Sequence, residues 1–483
     1  MLLVLPLVIP LAAAVLVLTF RDRETANRAA LIFSLAESAA IGSLVWRVHT
    51  GGNLEGTYLR ADGLTSFFLV NIALISILSL SYATGYLRHM GEGRFASPRW
   101  FYALVNMFLF TMVGVCLSAN LGVLWIMMEA TTLASALLVG FYNTEGAVEA
   151  GWKYLVVCTV GIAFALFGTI VFYLAAVKAG MSQTSALDWL GLLAGVSQRR
   201  FDPNLVRLAF VFILAGYGTK VGFVPMHSWL PDAHAEAPTP VSAMLSAILL
   251  NCAMYALMRY EILVSRAVGK DFPGELLVFF GLASIVVAGL LILVQRDLKR
   301  MLAYSSVEHM GMIAIGMGLG GALGFLGALL HTFNHSVAKS LLFFGAGSVR
   351  HKFGTLRMDR VSGMGRSAPL TTAMLAVGAL AIVGMPPFSL FVSEFTILSE
   401  SFSQSRYVVG AVFLIVLSIV FGGFVHHFLH MACGAAQKTP PEQDFTAAEY
   451  AVMFTAGALL LCFGVRIPWS FTALLRDAVS VLQ

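Results

Sequence analysis

The feature that most constrains this chain is the recurrence of long apolar runs along nearly its whole length. Runs of about twenty apolar residues, the length that a helix needs to cross the hydrocarbon core of a bilayer, recur from Leu2 to beyond Ala448. Only 11% of the 483 residues are charged, against about a quarter in an ordinary soluble domain. The sequence therefore predicts an all-α polytopic membrane protein, with links too short for a soluble domain.

The apolar runs divide into about fourteen candidate transmembrane helices. We expect these spans near residues 2–20, 27–46, 62–86, 100–118, 119–141, 152–178, 205–225, 240–261, 273–295, 301–320, 321–349, 368–391, 406–432 and 446–465. The first run has no basic residue before it and is too long for the apolar region of a signal peptide, so we interpret it as a retained span.

The basic loops indicate an orientation. An even number of spans places both termini on one side of the membrane. Arg21, Arg23 and Arg28 follow the first span, and the basic loop 350–366 follows the eleventh. Cytoplasmic loops carry an excess of Lys and Arg, which predicts a bacterial inner-membrane protein with both termini on the outer face. Other basic residues favour the opposite orientation: Arg199, Arg200, Arg259, Arg266 and Lys270.

The sequence gives no indication of a cofactor, a metal or a nucleic acid bound by this chain. The five cysteines lie far apart, without metal or redox spacing. Glycines 316, 318 and 321 match a GxGxxG pattern, but a nucleotide fingerprint needs a strand before it and a helix after it. Small residues that let two helices approach closely are the better interpretation.

Ionisable residues at membrane depth are the informative exceptions to the apolar pattern. Glu129 lies near the middle of the fifth predicted span, Lys220 lies in the seventh, and Glu394 follows the sequence GMPPF in the twelfth. An intramembrane charge is costly and usually faces a bundle interior or a water-filled path. A functional role is therefore favoured for these three residues.

The eleventh predicted span carries His331, His335 and Lys339. A spacing of four stacks the three side chains on one helix face, about 6 Å apart per step. Histidines titrate near neutral pH, so this stripe is a candidate set of proton stations.

Further polar residues are weaker candidates. A lone histidine among apolar residues is more often a buried hydrogen-bond donor with a partner than a proton carrier. Lys153 and Glu37 lie near span ends, which favours a structural role for both. An asparagine can hold a bridging water, because its amide is both donor and acceptor. The secondary candidates are Lys153, His227, His234, Asn251, Glu308 and His309.

Two predicted spans are interrupted by helix breakers beside an ionisable group. The seventh contains Gly222 and Pro225 after Lys220, and the twelfth contains Gly384, Pro386 and Pro387 before Glu394. Corresponding broken helices in two halves of a chain point to internal repeats with an ion site near mid-membrane.

These residues predict a proton relay. Whether a buried lysine keeps its proton depends on a nearby carboxylate. If Glu129 is the partner of Lys220, separating the pair releases a proton and re-forming it reloads the site. The predicted relay consists of Glu129, Lys220, His331, His335, Lys339 and Glu394, with Glu394 as the terminal acceptor.

Three segments resemble a known superfamily. They are GTKVGFVPMHSWLPDAHAEAPTPVSAMLSAILLN at 218–251, RDLKRMLAYSS at 296–306 and FNHSVAKSLLFFGAGSV at 333–349. They are similar to the antiporter-like membrane subunits of respiratory complex I, membrane-bound hydrogenases and multisubunit cation/proton antiporters. The resemblance implies about fourteen helices with two inverted five-helix repeats, each with a broken helix. The implied boundaries are 1–99, 100–261, 262–432 and 433–483.

The resemblance also extends to residues. The family's functional glutamate, lysine and histidine positions fall on Glu129, Lys220, His335, Lys339 and Glu394. SSVEHMG at 305–311 and AGWKYLVVCTVGIA at 150–163 are similar to the F-type component of hydrogenase-4. In the eighth span, where complex I proteins carry a lysine, this chain has Asn251.

The resemblance implies a proton-translocating subunit of a redox-driven complex, such as a membrane-bound hydrogenase, a formate-hydrogenlyase-like complex or a complex I-like NADH:quinone oxidoreductase. Partner subunits would then carry iron–sulfur clusters and a nickel–iron centre. Two alternatives stay open: a component of a cation (Na⁺)/proton antiporter, and an ion-driven membrane subunit of an inorganic-carbon uptake complex.

Overall fold

The computed structural model describes residues 1–20, 22–89, 97–435 and 446–483, so Arg21 lies outside the described residues. The structure is built from helices, with one two-stranded hairpin in the described residues, formed by β1 (Leu54–Glu55) and β2 (Arg60–Ala61). In the first part of the chain the helices are α1 (Leu5–Val17), α2 (Arg23–Gly51), α3 (Gly63–Tyr86), α4 (Pro98–Leu117), α5 (Leu121–Val139), α6 (Glu145–Lys178), α7 (Trp189–Gln198), α8 (Pro203–Val221), α9 (Leu230–Glu236), α10 (Thr239–Met244) and α11 (Leu250–Val268).

The remaining helices follow in the second part of the chain. They are α12 (Asp271–Val294), α13 (Leu298–Leu319), α14 (Gly321–Phe353), α15 (Met364–Ser367), α16 (Pro369–Ile382), α17 (Ser389–Ser403), α18 (Tyr407–Ala432), α19 (Ala447–Val465) and α20 (Trp469–Leu482). A π-helical turn at Leu245–Leu249 joins α10 to α11, so that Thr239–Val268 runs as one element of 30 residues.

The predicted polytopic helical architecture is confirmed. Within the described residues, ten helices are long and apolar enough to cross a membrane by length and composition. They coincide with ten of the predicted spans. The other four spans, near 2–20, 301–320, 321–349 and 368–391, contain helices that are shorter or more polar. The total of about fourteen spans and the inverted repeats stay predictions.

Both predicted helix breaks are present. Helix α8 ends at Val221 because Gly222 adopts a left-handed conformation with φ 89°, which glycine tolerates without a steric penalty. Helix α16 ends at Ile382, and Gly384 has φ 68° before α17 begins at Ser389. Each break lies beside one of the predicted ionisable residues.

The centre of the molecule is formed by α3, the α10–α11 element and α14, which are buried along most of their length. Helices α2, α5, α6, α12 and α18 lie outside them and expose apolar side chains. This arrangement places the polar residues of α14 inside the bundle rather than against lipid.

Close helix contacts explain the glycine pattern at 316–321. A Cβ atom at Gly318 would lie 2.5 Å from the carbonyl oxygen of Gly274 in α12. Any side chain there would force α12 and α13 apart, so the packing role predicted for these glycines is confirmed.

The sequence did not predict the hairpin, α7 or α20. Helix α20 follows α19 after a short link and buries one face, consisting of Phe471, Leu475, Ala478 and Leu482, against α3 and α14. Gly63 makes this contact possible, because a Cβ atom there would lie 2.3 Å from the carbonyl oxygen of Asp477. The segment predicted as a C-terminal span, 433–483, therefore contains two helices.

Candidate functional site

Lys220 lies in the last turn of α8 and is fully buried. Its Nζ donates hydrogen bonds to Thr132 Oγ1 and to the Tyr154 hydroxyl, both at 2.7 Å. Tyr154 also exchanges a hydrogen bond with Ser135 at 2.7 Å. The helix break thus places the ammonium group among neutral hydroxyls of α5 and α6.

Glu129 does not pair directly with Lys220, contrary to the sequence-based expectation. Its Oε1 accepts from Thr159 at 2.8 Å and its Oε2 accepts from Thr132 at 3.4 Å. No ion pair within 4.0 Å joins Glu129 to Lys220 in the described part of the chain. Thr132 is three residues beyond Glu129 on the same face of α5, and its hydroxyl connects the carboxylate to the ammonium group.

Glu129 is also less buried than a central relay residue would be. Its side chain is half-buried, and its partner Thr159 is exposed on α6. The carboxylate therefore lies at the outer surface of this chain, close to the middle of α5.

His234 and Lys299 lie between the two halves of the chain. His234 is fully buried, and its Nδ1 is 2.8 Å from the Leu230 carbonyl oxygen, while its ring contacts Phe343 of α14 at 5.7 Å. Lys299 is equally buried, and its Nζ donates to the Ala237 carbonyl oxygen at 2.7 Å. These two groups link the segment after Lys220 to α13 and α14.

Asn251 is the second residue after the π-helical turn and contacts α14. Its Nδ2 donates to the Ala247 carbonyl oxygen at 2.6 Å and to Ser336 Oγ at 2.8 Å. Asn71 of α3 donates to the same Ser336 oxygen at 2.8 Å. π-Helical turns are frequent at functional sites, and this one brings three central helices to a single polar contact.

Lys339 is fully buried in the middle of α14. Its Nζ donates to the Leu302 carbonyl oxygen at 2.7 Å and to the Ser305 hydroxyl, both on α13. Glu308, one turn beyond Ser305, is buried, and neither of its carboxyl oxygens has a hydrogen-bond partner among the described residues.

The predicted histidine stripe faces the bundle interior and gains a third ring from α13. His309 Nδ1 and His331 Nε2 are 2.9 Å apart, and the two rings stack with centroids 5.1 Å apart. The ring of His335 lies 5.3 Å from that of His309, and neither of its nitrogens has a partner in the described structure. His309, a secondary candidate from the sequence, is therefore central to this cluster.

The cluster continues to Glu394 across the second helix break. His331 Nδ1 lies 3.0 Å from the hydroxyl of Ser393, the residue before Glu394 on α17. Glu394 is buried, and a Cβ atom at Gly384 would lie only 1.8 Å from its Oε2. The break therefore removes both helical backbone and side-chain bulk where the carboxyl group lies.

Three of these side chains are close enough to hold a metal ion, which the sequence did not predict. One ligand atom each from His309, His331 and Glu394 lies within 4.8 Å of the others. The hydrogen bond between the two rings and the contact with Ser393 use both nitrogens of His331. A cation that binds His331 would have to displace one of those hydrogen bonds, whereas a proton can be held within them.

Two secondary candidates lie outside the buried clusters. Lys153 is exposed, and its Nζ is 2.5 Å from Asp232 Oδ2, while Arg300 binds the other oxygen of Asp232 at 2.6 Å. His227 is half-buried, and its ring lies 6.1 Å from that of Tyr304.

Several buried polar residues were missed in the sequence. Thr132, Tyr154 and Ser305 hold the two lysines, yet hydroxyl residues are common in apolar helices and carry no distinctive pattern. Glu37 was assigned a structural role near a span end, but it lies near the centre of α2, is 1% exposed, and has no partner for either oxygen in the described structure. Its central position in the predicted span 27–46 could have revealed this.

Comparison with known proteins identifies the family. The family model described as the transmembrane part of NADH:quinone oxidoreductases and Mrp antiporters matches residues 118–422, which is well over half of the chain. The chain belongs to this family.

Two groups of relatives support this membership. The Hydrogenase-4 component F homolog of Methylacidiphilum infernorum is 38% identical over 418 residues, which cover 86% of each chain. The archaeal membrane-bound sulfane sulfur reductase contains a chain with a TM-score of 0.87 at 24% identity, covering 100% of this chain and 96% of that one. A chain of the Mrp complex from Dietzia sp. has a TM-score of 0.86 at 18% identity, covering 99% and 96%.

This member of the NADH:quinone oxidoreductase/Mrp antiporter family is an antiporter-like integral membrane protein. Its structural neighbours are subunits of multisubunit membrane complexes. The family match spans both helix breaks and the buried lysines Lys220 and Lys339.

Proposed function

We propose that this chain is the proton-translocating, antiporter-like subunit of a redox-driven membrane complex of the hydrogenase-4 type. The observation that carries the proposal is that two fully buried lysines in the middle of the bundle, Lys220 and Lys339, make hydrogen bonds within the described residues to hydroxyl and carbonyl groups. A lysine without a carboxylate in contact is not locked in its charged form by a strong Coulombic attraction. Each lysine is therefore suited to give up and regain a proton.

The proposed path begins at the half-buried Glu129 and reaches Lys220 through the Thr132 hydroxyl. His234 and Lys299 then connect the first half of the chain to the second. Some neighbouring groups on this route are too far apart to share a direct hydrogen bond. Transfer between them therefore requires side-chain movement or a bridging water.

In the second half of the chain, the proposed proton carriers are Lys339, Glu308 and the histidine cluster. Glu394 receives the proton last. The two direct contacts are the His309 to His331 hydrogen bond and the contact of His331 with Ser393. The proposed relay retains the six residues of the relay predicted from the sequence and adds His234, Lys299, Glu308 and His309. The division at residues 99, 261 and 432 into an N-terminal segment, two repeats and a C-terminal segment is part of this proposal.

The partners and location follow from the same proposal. A carboxylate at the outer surface of a membrane-spanning helix, such as Glu129, needs a polar neighbour, and another membrane subunit would supply it. Iron–sulfur clusters and a nickel–iron centre would belong to partner subunits. We place the protein in the bacterial cytoplasmic membrane with both termini on the outer face, supported by the basic loop after α14.

The test is proton pumping by the intact complex in sealed vesicles, driven by its electron donor. We expect Lys220→Met to reduce gradient formation by about a hundredfold or more, which is at least the lower end of the effect of a positioned proton-transfer group, without loss of assembly. Lys178→Met is the matched control, because Lys178 is exposed at the end of α6. Normal pumping by an assembled Lys220→Met complex would refute the proposal.

A cation/proton antiporter component is the second candidate, because the matched family includes Mrp antiporters. Purification of the native complex separates the two. Co-purification of a nickel hydrogenase subunit and iron–sulfur proteins supports the redox-driven complex. Exchange of Na⁺ for protons without an electron donor, by a complex that lacks those proteins, supports the antiporter.

A further inference from the structure

A polar cavity of about 430 Å³ lies at one membrane face, away from the relay. It is bounded by the end of α2, the start of α3, α7, the end of α11 and the second half of α20. Its lining includes three basic side chains, His49, Arg60 and Arg266, and one acidic side chain, Asp477. Asp477 lies 2.6 Å from His49 Nδ1, so the lining as a whole favours an anion.

Arg60 is the decisive residue of this cavity. It is 9% exposed, and its Nε and Nη1 atoms are buried without a hydrogen-bond partner among the described residues. Among the described residues, Arg60 makes one ion pair, a 3.7 Å contact between its Nη2 and a carboxylate oxygen of Asp62. Asp62 already binds Arg259 through both carboxylate oxygens at 2.7 and 2.8 Å.

Two guanidinium groups thus share one carboxylate, and one of the two, that of Arg60, lines the cavity. Glu55 lies opposite Arg60 in the hairpin, but it is exposed and makes no ion pair with Arg60. A buried guanidinium with unused donors is costly unless it is paired, and phosphate is an anion that arginine binds well.

An apolar groove of about 460 Å³ adjoins this cavity, and His49 lines both. The other groove residues are almost all apolar or aromatic: Gly42, Val45, Trp46, Val70, Leu74, Phe333, Phe463, Pro468, Trp469, Ser470, Phe471, Ala473 and Leu474. Along α2, the seven steps from His49 to Gly42 correspond to about 10 Å of helix axis. The groove therefore runs from the membrane face toward the hydrocarbon core.

We propose that this composite site binds an anionic phospholipid. The headgroup phosphate binds at Arg60 and Arg266, and one acyl chain occupies the groove between α2 and α20. A free phosphate would use only the polar cavity, whereas the groove matches an apolar chain attached to the same anion. The exposed Trp46 and Trp469 at the groove are typical of residues that contact lipid near the interface.

The bound lipid would also hold α20 in place. Residues of α20 form one wall of both the cavity and the groove. The direct polar contact of this helix with α2 is the exposed His49 to Asp477 pair, which alone contributes little.

The groove is tested with a photoactivatable phosphatidylglycerol that carries its reactive group on the acyl chain, added to membranes containing the intact complex. We expect wild-type protein to be labelled on α2 or α20. A Cβ atom at Gly42 would meet no atom within 4 Å, so Gly42→Leu fills the groove without disturbing the packing. It should reduce labelling about tenfold, equivalent to a roughly tenfold weaker binding constant.

Gly422→Leu is the matched control, because a Cβ atom at Gly422 in α18 would also meet no atom within 4 Å and Gly422 lines neither cavity. It should be labelled like the wild type. Equal labelling of the Gly42→Leu and Gly422→Leu variants, or labelling confined to helices that do not line the groove, would overturn the proposal.

The headgroup is tested with a diacylglycerol probe that has the same chains but no phosphate. We expect it to label the wild type about tenfold less than phosphatidylglycerol, as for loss of a charge-assisted contact. Arg60→Gln should reduce labelling by phosphatidylglycerol to the same level. Equal labelling by both probes would exclude recognition of the phosphate, and displacement of the probe by inorganic phosphate alone would indicate a free-phosphate site instead.

Discussion

Lys220 and Lys339 are both fully buried lysines of one bundle, but their surroundings differ in how completely the hydrogen bonds are formed. Around Lys220, the hydroxyls of Thr132 and Tyr154 are all engaged, and Thr132 passes the contact on to Glu129. Around Lys339, Glu308 and His335 have polar atoms without partners among the described residues.

This difference bears on the cost of moving a proton. Removing the proton from Lys220 weakens two hydrogen bonds of 2.7 Å. Changing the protonation state of Glu308 or His335 breaks no side-chain hydrogen bond to the described protein, because those groups make none. Buried polar groups without partners are costly and usually have a functional explanation. We therefore expect a change of protonation at Glu308 or His335 to disturb fewer hydrogen bonds than a change at Lys220.

The largest effect is expected at Lys339. Lys339→Met should reduce proton pumping by about a hundredfold or more, because a positioned proton carrier is lost. Folding stability should not fall, because methionine has a similar volume and needs no hydrogen bond in a buried site. Pumping in sealed vesicles and thermal unfolding of the complex are the measurements. Retained pumping would mean that the second half does not carry the proton through this lysine.

A smaller effect is expected at the second helix break. Gly384→Ala places a Cβ atom 1.8 Å from Glu394 Oε2, at a residue with φ 68°. The carboxyl group must therefore move. We expect about tenfold slower transport, because small misplacements of a reacting group are costly. We also expect the free energy of unfolding to fall by about 1 kcal/mol, because the backbone at this residue becomes strained. Gly422→Ala in α18, where the Cβ position is open, is the control. Equal rates in both variants would show that the position of Glu394 does not matter.

The smallest effect is expected at Thr132. Thr132→Val removes the hydroxyl that connects Glu129 to Lys220 but keeps the shape of the side chain. We expect transport to fall about three- to tenfold, as for loss of one hydrogen bond of ~1 kcal/mol. Thr111→Val is the matched control, because Thr111 is buried and its hydroxyl donates to the Phe108 carbonyl of its own helix. If the two variants transport protons at the same rate, the hydrogen bond between Thr132 and Lys220 is not needed for transport.

The sequence predicted the helices well because hydrophobic length is a local property. The span expected at 62–86 is α3 at Gly63–Tyr86, and the one expected at 273–295 is α12 at Asp271–Val294. Both breaks were predicted from glycine and proline alone. Helix α20 was missed because a short amphipathic helix does not give a long apolar run.

The sequence could not predict which polar groups meet. Glu129 and Lys220 were paired on chemical grounds, but only the packing of α6 against α5 and α8 shows that Thr132 and Tyr154 intervene. Lys299 was overlooked because charged residues flank it and suggest a loop, whereas α13 begins at Leu298 and buries its side chain. Such contacts depend on the rotation of each helix about its axis.

The ion pairs of Asp232 have a mechanical consequence. Asp232 lies in α9, directly after the broken segment that follows Lys220, and it binds Lys153 of α6 and Arg300 of α13. The seven-residue helix is thereby tied to both halves of the chain at once. Any sliding of α6 relative to α13 must pull on α9, and through it on the end of α8. Loss of either ion pair would leave α9 tied to only one half of the chain by Asp232.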